Sequence, residues 1–189
     1  MSRRRPSRAL LLGVVAGLAV AGCSERREGE RRFRYAAAVE VPAAVDERAE
    51  LAAVFAGFAQ RNGLAFHDTS PRAQRLSNGR QTLAMQLQRT LTNGQPWAEI
   101  EISAVGNAAA MVTFAAPLDD GIAADSADGR AELVGALRRR WPGTVQVPVL
   151  PGGGIPRQAD LRHTPAGLRI DPASAARYGL AADSPLLEK

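Results

Sequence analysis

The sequence predicts an α+β domain: an antiparallel sheet of four or five strands with two helices packed on one face, in the order α-β-β-β-β-α-β, plus a C-terminal tail. Three observations carry this. Two segments repeat their apolar residues at helical spacing, three consecutive segments between them alternate apolar and polar residues with period two, and glycine-bearing turns join those three. Each helix then offers one stripe and the sheet one apolar face, which a two-layer α+β arrangement buries together.

Residues 46–61 form the first helix, because Leu51, Val54, Phe55 and Phe58 recur at i, i+3, i+4 and i+7. Asp46 is placed to cap its start and Asn62-Gly63 to supply a left-handed stop. Leu64-Ala65-Phe66-His67-Asp68 is a short strand leading into a loop around Ser70-Pro71 and Ser77-Asn78-Gly79. In the first alternating run Leu83, Met85, Leu87 and Leu91 face one way, and Thr82, Gln86, Gln88 and Thr90 the other. Asn93-Gly94 turns the chain into a run with Ala98, Ile100 and Ile102 on one side and Glu99, Glu101 and Ser103 on the other. Gly106-Asn107 turns it again into Met111-Val112-Thr113-Phe114, completing a meander with one polar face.

The second helix follows a loop with Pro117, Asp119, Asp120 and Gly121, with Asp125 or Ser126 as its cap and Leu133, Val134, Leu137 and Trp141 as its buried stripe. Arg138-Arg139-Arg140 fills its last turn, where cations stabilise a helix end, and Pro142 stops it. Residues 144–150 alternate Val145, Val147 and Val149; Pro148 lacks an amide proton, so this strand belongs at a sheet edge. Pro151-Gly152-Gly153-Gly154-Ile155-Pro156 reads as a hinge, and Asp171-Pro172 as the cap and first residue of a short helix ending at Gly179. The domain thus spans 35–150, with hinge and tail over 151–189.

Charge is distributed unevenly. The chain carries 24 basic and 19 acidic side chains, net +5. Four arginines (Arg3, Arg4, Arg5 and Arg8) stand in the first 22 residues without an acid; beyond them the balance is 20 to 19, and from residue 35 onward 15 to 16. The folded part is therefore near neutral, which argues against nucleic acid as a partner, since that needs a basic stripe on the fold. Residues 24–34 hold five arginines and three glutamates and little to bury, and read as a charged tether.

After the basic opening comes Ala9-Leu10-Leu11-Leu12-Gly13-Val14-Val15-Ala16-Gly17-Leu18-Ala19, then Val20-Ala21-Gly22-Cys23. A charged start, a short apolar centre and small residues at a cut make a signal peptide, and the apolar run is shorter than the roughly 20 residues of a membrane span. Val20-Ala21-Gly22-Cys23 resembles the lipobox of bacterial lipoprotein signal peptides. The resemblance implies cleavage before Cys23, acylation of its thiol, and membrane lipid as a partner through that residue. It also implies residues 1–22 as the signal, residues 23–34 as the tether, and an envelope location. Ser24, in place of the aspartate that commonly retains Gram-negative lipoproteins at the inner membrane, implies the periplasmic face of the outer membrane for a Gram-negative source.

The catalytic inventory is thin. His67 and His163 are the only histidines, and His67 and Asp68, as strand neighbours, leave on opposite faces. No Gly-x-Ser-x-Gly elbow presents a serine, and Asp119, Asp120, Asp125 and Asp128 fail the spacing of a calcium loop. Gly152-Gly153-Gly154 is bracketed by prolines and lacks the lysine and helix of a phosphate loop. No catalytic residue, cofactor or metal site is expected. The candidate site is a surface: Gln86, Gln88, Glu99 and Glu101 on the polar face of the sheet, as a docking platform for an envelope protein partner. A non-enzymatic binding or scaffolding role is the leading expectation. An enzyme acting on envelope polymers, with His67 or His163 meeting a carboxylate in a deep cleft, and an inhibitor or immunity protein are the alternatives.

Overall fold

The computed structural model describes residues 33–187 except 79, 91–93, 95, 118–122 and 166, and leaves the side chains of 33, 117 and 123–128 undescribed. The lipobox, Cys23, tether residues 24–32, Leu91, and the side chains of Asp119, Asp120, Asp125 and Asp128 lie outside what is described.

The fold is α+β. Strand β1 (Phe33–Val41) leads through a 3-10 turn at Val45–Glu47 into α1 (Arg48–Arg61), β2 (Ala65–Asp68) and α2 (Ser70–Leu76). The meander β3 (Thr82–Thr90), β4 (Pro96–Val105) and β5 (Ala110–Pro117) follows, then α3 (Ala123–Arg140) and β6 (Val145–Val147). A 3-10 turn at Gln158–Asp160, the hairpin β7 (Leu161–Thr164) and β8 (Gly167–Ile170), and a 3-10 helix at Pro172–Tyr178 complete the chain. The main sheet has six strands in the order β2-β3-β4-β5-β1-β6, with antiparallel neighbours throughout.

Leu83, Met85, Leu87, Ile100, Ile102, Val112, Phe114, Val39 and Val41 form one cluster with Leu51, Phe55 and Phe58 of α1, Leu133 and Leu137 of α3, and Trp141 just after it. This is the two-helix layer on one sheet face that the periodicity predicts. Burying each large aliphatic or aromatic side chain contributes roughly 1.5–3 kcal/mol. The helices are also tied to each other. Arg140 of α3 grips Glu50 of α1 through Nε and Nη2, approaches Glu47 at 3.6 Å, and lies over the Trp141 ring at 5.3 Å. β6 is an edge strand, as expected, but it spans only Val145–Val147 of the expected 144–150, so Pro148 follows its end instead of standing within it.

Four details differ from the expectation. The sheet has six strands because Phe33-Arg34-Tyr35-Ala36-Ala37-Ala38-Val39-Glu40-Val41, partly assigned to the tether, is β1, inserted between β5 and β6. Its alanines give a weak strand signal, but they suit a strand covered on both faces. Residues 70–76 form α2 instead of a loop; the helix buries no residue, so no stripe announces it. Asp46 lies inside the 3-10 turn, and Glu47 closes the helix start by accepting the Ala44 N–H at 2.8 Å. Helix α3 starts at Ala123, so Asp125 and Ser126 sit within it and not at its cap.

The segment after Pro151 packs on the sheet. Gly153 accepts the Tyr35 N–H at 3.0 Å, while Leu150 and Gly153–Gly154 close a turn with bonds of 2.7 and 2.9 Å. A Cβ on Gly153, where φ is +76°, would stand 2.3 Å from Arg34 Cβ, so only glycine fits this approach. The 3-10 helix is capped by Asp171, whose side chain accepts the Ala173 N–H, and ends at Gly179 with φ +63°, as its sequence predicts.

Candidate functional site: the half-covered face of the sheet

Opposite the helices, in-register positions form a row across all six strands: His67, Gln86, Glu101, Thr113, Ala38 and Val147. The C-terminal hairpin covers one end. Leu168 of β8 packs on Ala38 and Val147, with Met111, Val145, Ile155 and Leu161 around them. The strip over β3, β4 and β5 stays half-exposed, and Glu101 is its centre. Oε2 accepts the Tyr35 hydroxyl at 3.1 Å and Oε1 accepts Gln86 Nε2 at 3.2 Å. Gln88 Nε2 in turn donates to Gln86 Oε1 at 3.0 Å, and the Thr113 hydroxyl reaches the Glu101 carbonyl at 3.5 Å. Burial raises the Tyr35 pKa above 10.0, reinforced by the Glu101 negative charge and the hydrogen bond to it; Thr113 acts in the opposite direction.

Three of the four expected surface residues, Gln86, Gln88 and Glu101, thus join one hydrogen-bonded chain. Glu99 does not. Leu87 pairs with Ile100 and Gln88 with Ala98, leaving Glu99 as the extra residue of a β-bulge. The bulge turns Glu99 to the helix side, where it is 7% exposed and bound by Arg89 Nε at 2.8 Å. There it lines a cavity of about 20 Å³ with Phe58, Ile100, Phe114 and Arg130, room for about one water. The same bulge moves Ala98 from the apolar side to a position opposite Gln88. A second bulge, at Ala36 between Tyr35 and Ala37, brings Tyr35 onto the open face. Sequence reasoning missed Tyr35 because it missed β1.

The remaining sequence candidates are dispersed. His67 is exposed on β2, and its neighbour Asp68 accepts the Ser70 N–H at 2.9 Å. His163 Nε2 lies 3.6 Å from Glu40 Oε1, with 72% of the histidine side chain exposed and 10% of the glutamate. Arg138 and Arg139 are exposed, whereas Arg140 is committed to α1. Trp141 is core, and half-buried Trp97 pairs in register with Arg89. Asp160 ties the C-terminal segment together internally: its carboxylate accepts from Ser174, Arg177 and Tyr178 at 2.5–2.9 Å. The Tyr178 and Ser174 hydrogen bonds and the Arg177 charge lower its pKa to about 2 against the opposing effect of burial.

Among the described residues no group of three His, Cys, Asp or Glu side chains gathers to hold a metal ion, and no helix is long and apolar enough to cross a membrane. The chain matches no protein-family model, no curated protein and no solved structure.

Proposed function

We propose that this chain is a lipid-anchored envelope protein, attached through acylated Cys23, whose α+β domain binds a protein partner on its open sheet face in a non-enzymatic role. The hydrogen-bonded chain Tyr35–Glu101–Gln86–Gln88 carries the binding half of this reading. It fixes the orientation of polar groups on a half-exposed surface, which lowers the ordering cost that a partner would otherwise meet. Val20-Ala21-Gly22-Cys23 supports the anchor, and Ser24 favours the periplasmic face of the outer membrane for a Gram-negative source.

Labelling with a palmitate analogue separates anchor from domain. The wild type should give a labelled, membrane-bound band, and Cys23→Ala a soluble, unlabelled one; a soluble, unlabelled wild type removes the anchor. An enzyme on envelope polymers is the second reading, drawing on the approach of His163 to Glu40. The exposure of His163 suits a contact tying the hairpin to the sheet better than a general base sheltered from water. Hydrolysis of envelope polymers that His163→Ala abolishes would establish the enzyme instead.

A further inference from the structure

The open strip combines an acidic centre with an apolar end. Glu101 is half-buried, and both its side-chain donors, Tyr35 and Gln86, are neutral. In this it differs from Glu99, Asp160 and Asp171, each of which has an arginine within 2.8 Å. Among the described residues no cation pairs with the Glu101 carboxylate, so its charge remains available to an incoming group.

Val105 and Leu76 are the large hydrophobic side chains left exposed among the described residues, at 50% and 77%. Val105 lies at the far end of this strip, and Leu76 ends α2, which packs along β3. Beyond the bulge β4 alternates regularly, so Glu101, Ser103 and Val105 share the open face; four residues of strand separate Glu101 from Val105 by about 14 Å. Leu76 precedes Ser77, whose hydroxyl meets that of Thr82 at 2.9 Å, and Thr82 is the register partner of Val105. From β3 to β5 the strip is about 10 Å wide, the width of a single peptide segment. The hairpin walls its other side.

Building on the binding reading above, we propose that the strip takes one extended basic segment of a partner protein, with an arginine or lysine on Glu101 and an aliphatic side chain about four residues away on Val105 and Leu76. Charge complementarity sets this polarity. Arg72, Arg75 and Arg80 lie in and just after α2, at the apolar end, so the partner's cation belongs at Glu101 and not beside them. A cation there completes a charge-assisted pair on a carboxylate already held in place by two neutral donors.

The test places a photo-crosslinking residue at Ser103, between the two contacts, in the full-length chain in its native cells. The crosslinked peptide should carry Arg or Lys about four residues from Leu, Ile or Val. Glu101→Gln, which keeps an oxygen acceptor for Tyr35, should lower the yield about tenfold, the loss of one charge-assisted pair. Unchanged thermal melting of that variant would show that the fold is intact. Two synthetic nine-residue peptides, one with Arg and Leu at this spacing and one with Glu for Arg, supply the second measurement. Wild type should bind the first, and Glu101→Lys should reverse the preference. Crosslinks to a protein that ignore Glu101→Gln, or that land on an acidic segment, overturn the basic-segment proposal while leaving a binding face in place. Crosslinks to lipid or glycan only, or to nothing, overturn both.

Discussion

The Tyr35 hydroxyl donates to Glu101 Oε2 at 3.1 Å, joining β1 to β4 over the intervening β5. The bond exists because the bulge at Ala36 shifts Tyr35 out of the core-facing series that includes Ala37, Val39 and Val41. Without that extra residue Tyr35 would face the helices, and Glu101 would keep only Gln86 as a side-chain donor. The bulge therefore both ends the core and builds the centre of the open face.

Tyr35 should ionise above the ordinary tyrosine range, because its proton is held by a partly buried site and a carboxylate. Absorbance at alkaline pH should show this late step in wild type, and Glu101→Gln should bring it earlier. The sign for stability follows. The folded pKa is raised, so this stabilisation is complete below pH 10.0 and is lost as pH rises through the folded value. Tyr35→Phe should cost about 1 kcal/mol at neutral pH, the net worth of one hydrogen bond, read as a shift of the denaturant midpoint. An unchanged alkaline titration in Glu101→Gln would remove the Tyr35–Glu101 coupling.

The two glutamates two residues apart on β4 should separate cleanly in stability. Glu99 is buried with Arg89, whereas Glu101 stands half-exposed between neutral donors. Arg89→Met leaves the Glu99 carboxylate buried without this partner and should cost about 3 kcal/mol. Glu101→Gln should stay within about 1 kcal/mol. Equal losses in urea unfolding would contradict the bulge register that turns one inward and leaves the other out.

Helices α1 and α3 and the meander were legible because their buried residues recur at 3.6 or 2 over several turns or pairs, and the edge position of β6 was legible from Pro148. β1, α2 and the β7–β8 hairpin were not. β1 is rich in alanine, α2 buries nothing, and the hairpin strands have four residues each, too short to establish a period. In the candidate site Gln86, Gln88 and Glu101 follow from alternation. Glu99 and Tyr35 exchange faces because each lies at a bulge, and a bulge adds one residue to a count that assumes none. No glycine stands next to Ala36 or Glu99 to signal either bulge.

Gly153→Ala should loosen the C-terminal segment. The new methyl would meet Arg34 at 2.3 Å in a backbone conformation that L-residues rarely adopt, and would disturb the turn that accepts the Tyr35 N–H. The expected cost is about 1–3 kcal/mol, with faster protease cleavage after Pro151. Gly152→Ala is the control, because nothing lies within 4 Å of its Cβ position. Equal protease resistance in the two variants would mean that the close approach at Gly153 does not hold the segment.

Acid should loosen the same segment from within, because Asp160 and its partners Ser174, Arg177 and Tyr178 all belong to it. Asp160 has a folded pKa of about 2 against an ordinary 3.8, so its stabilising contribution is complete above the ordinary value and is lost as pH falls through about 2. Asp171 is lowered too, first by the Ala173 N–H and then by Arg162, and weakens in the same direction. The Asp171 N–H donates to the Asp160 carbonyl at 2.8 Å, which makes its hydrogen exchange a local reporter. Its protection should fall between pH 4 and 2 in wild type, after correction for the intrinsic pH dependence of exchange. Asp160→Asn should begin with lower protection and lose the larger part of that acid step. Asp171→Asn, which keeps Asp160 and its three side-chain partners, should retain it. A wild-type step that survives Asp160→Asn unchanged would move the acid-sensitive contact away from the Ser174–Arg177–Tyr178 cluster.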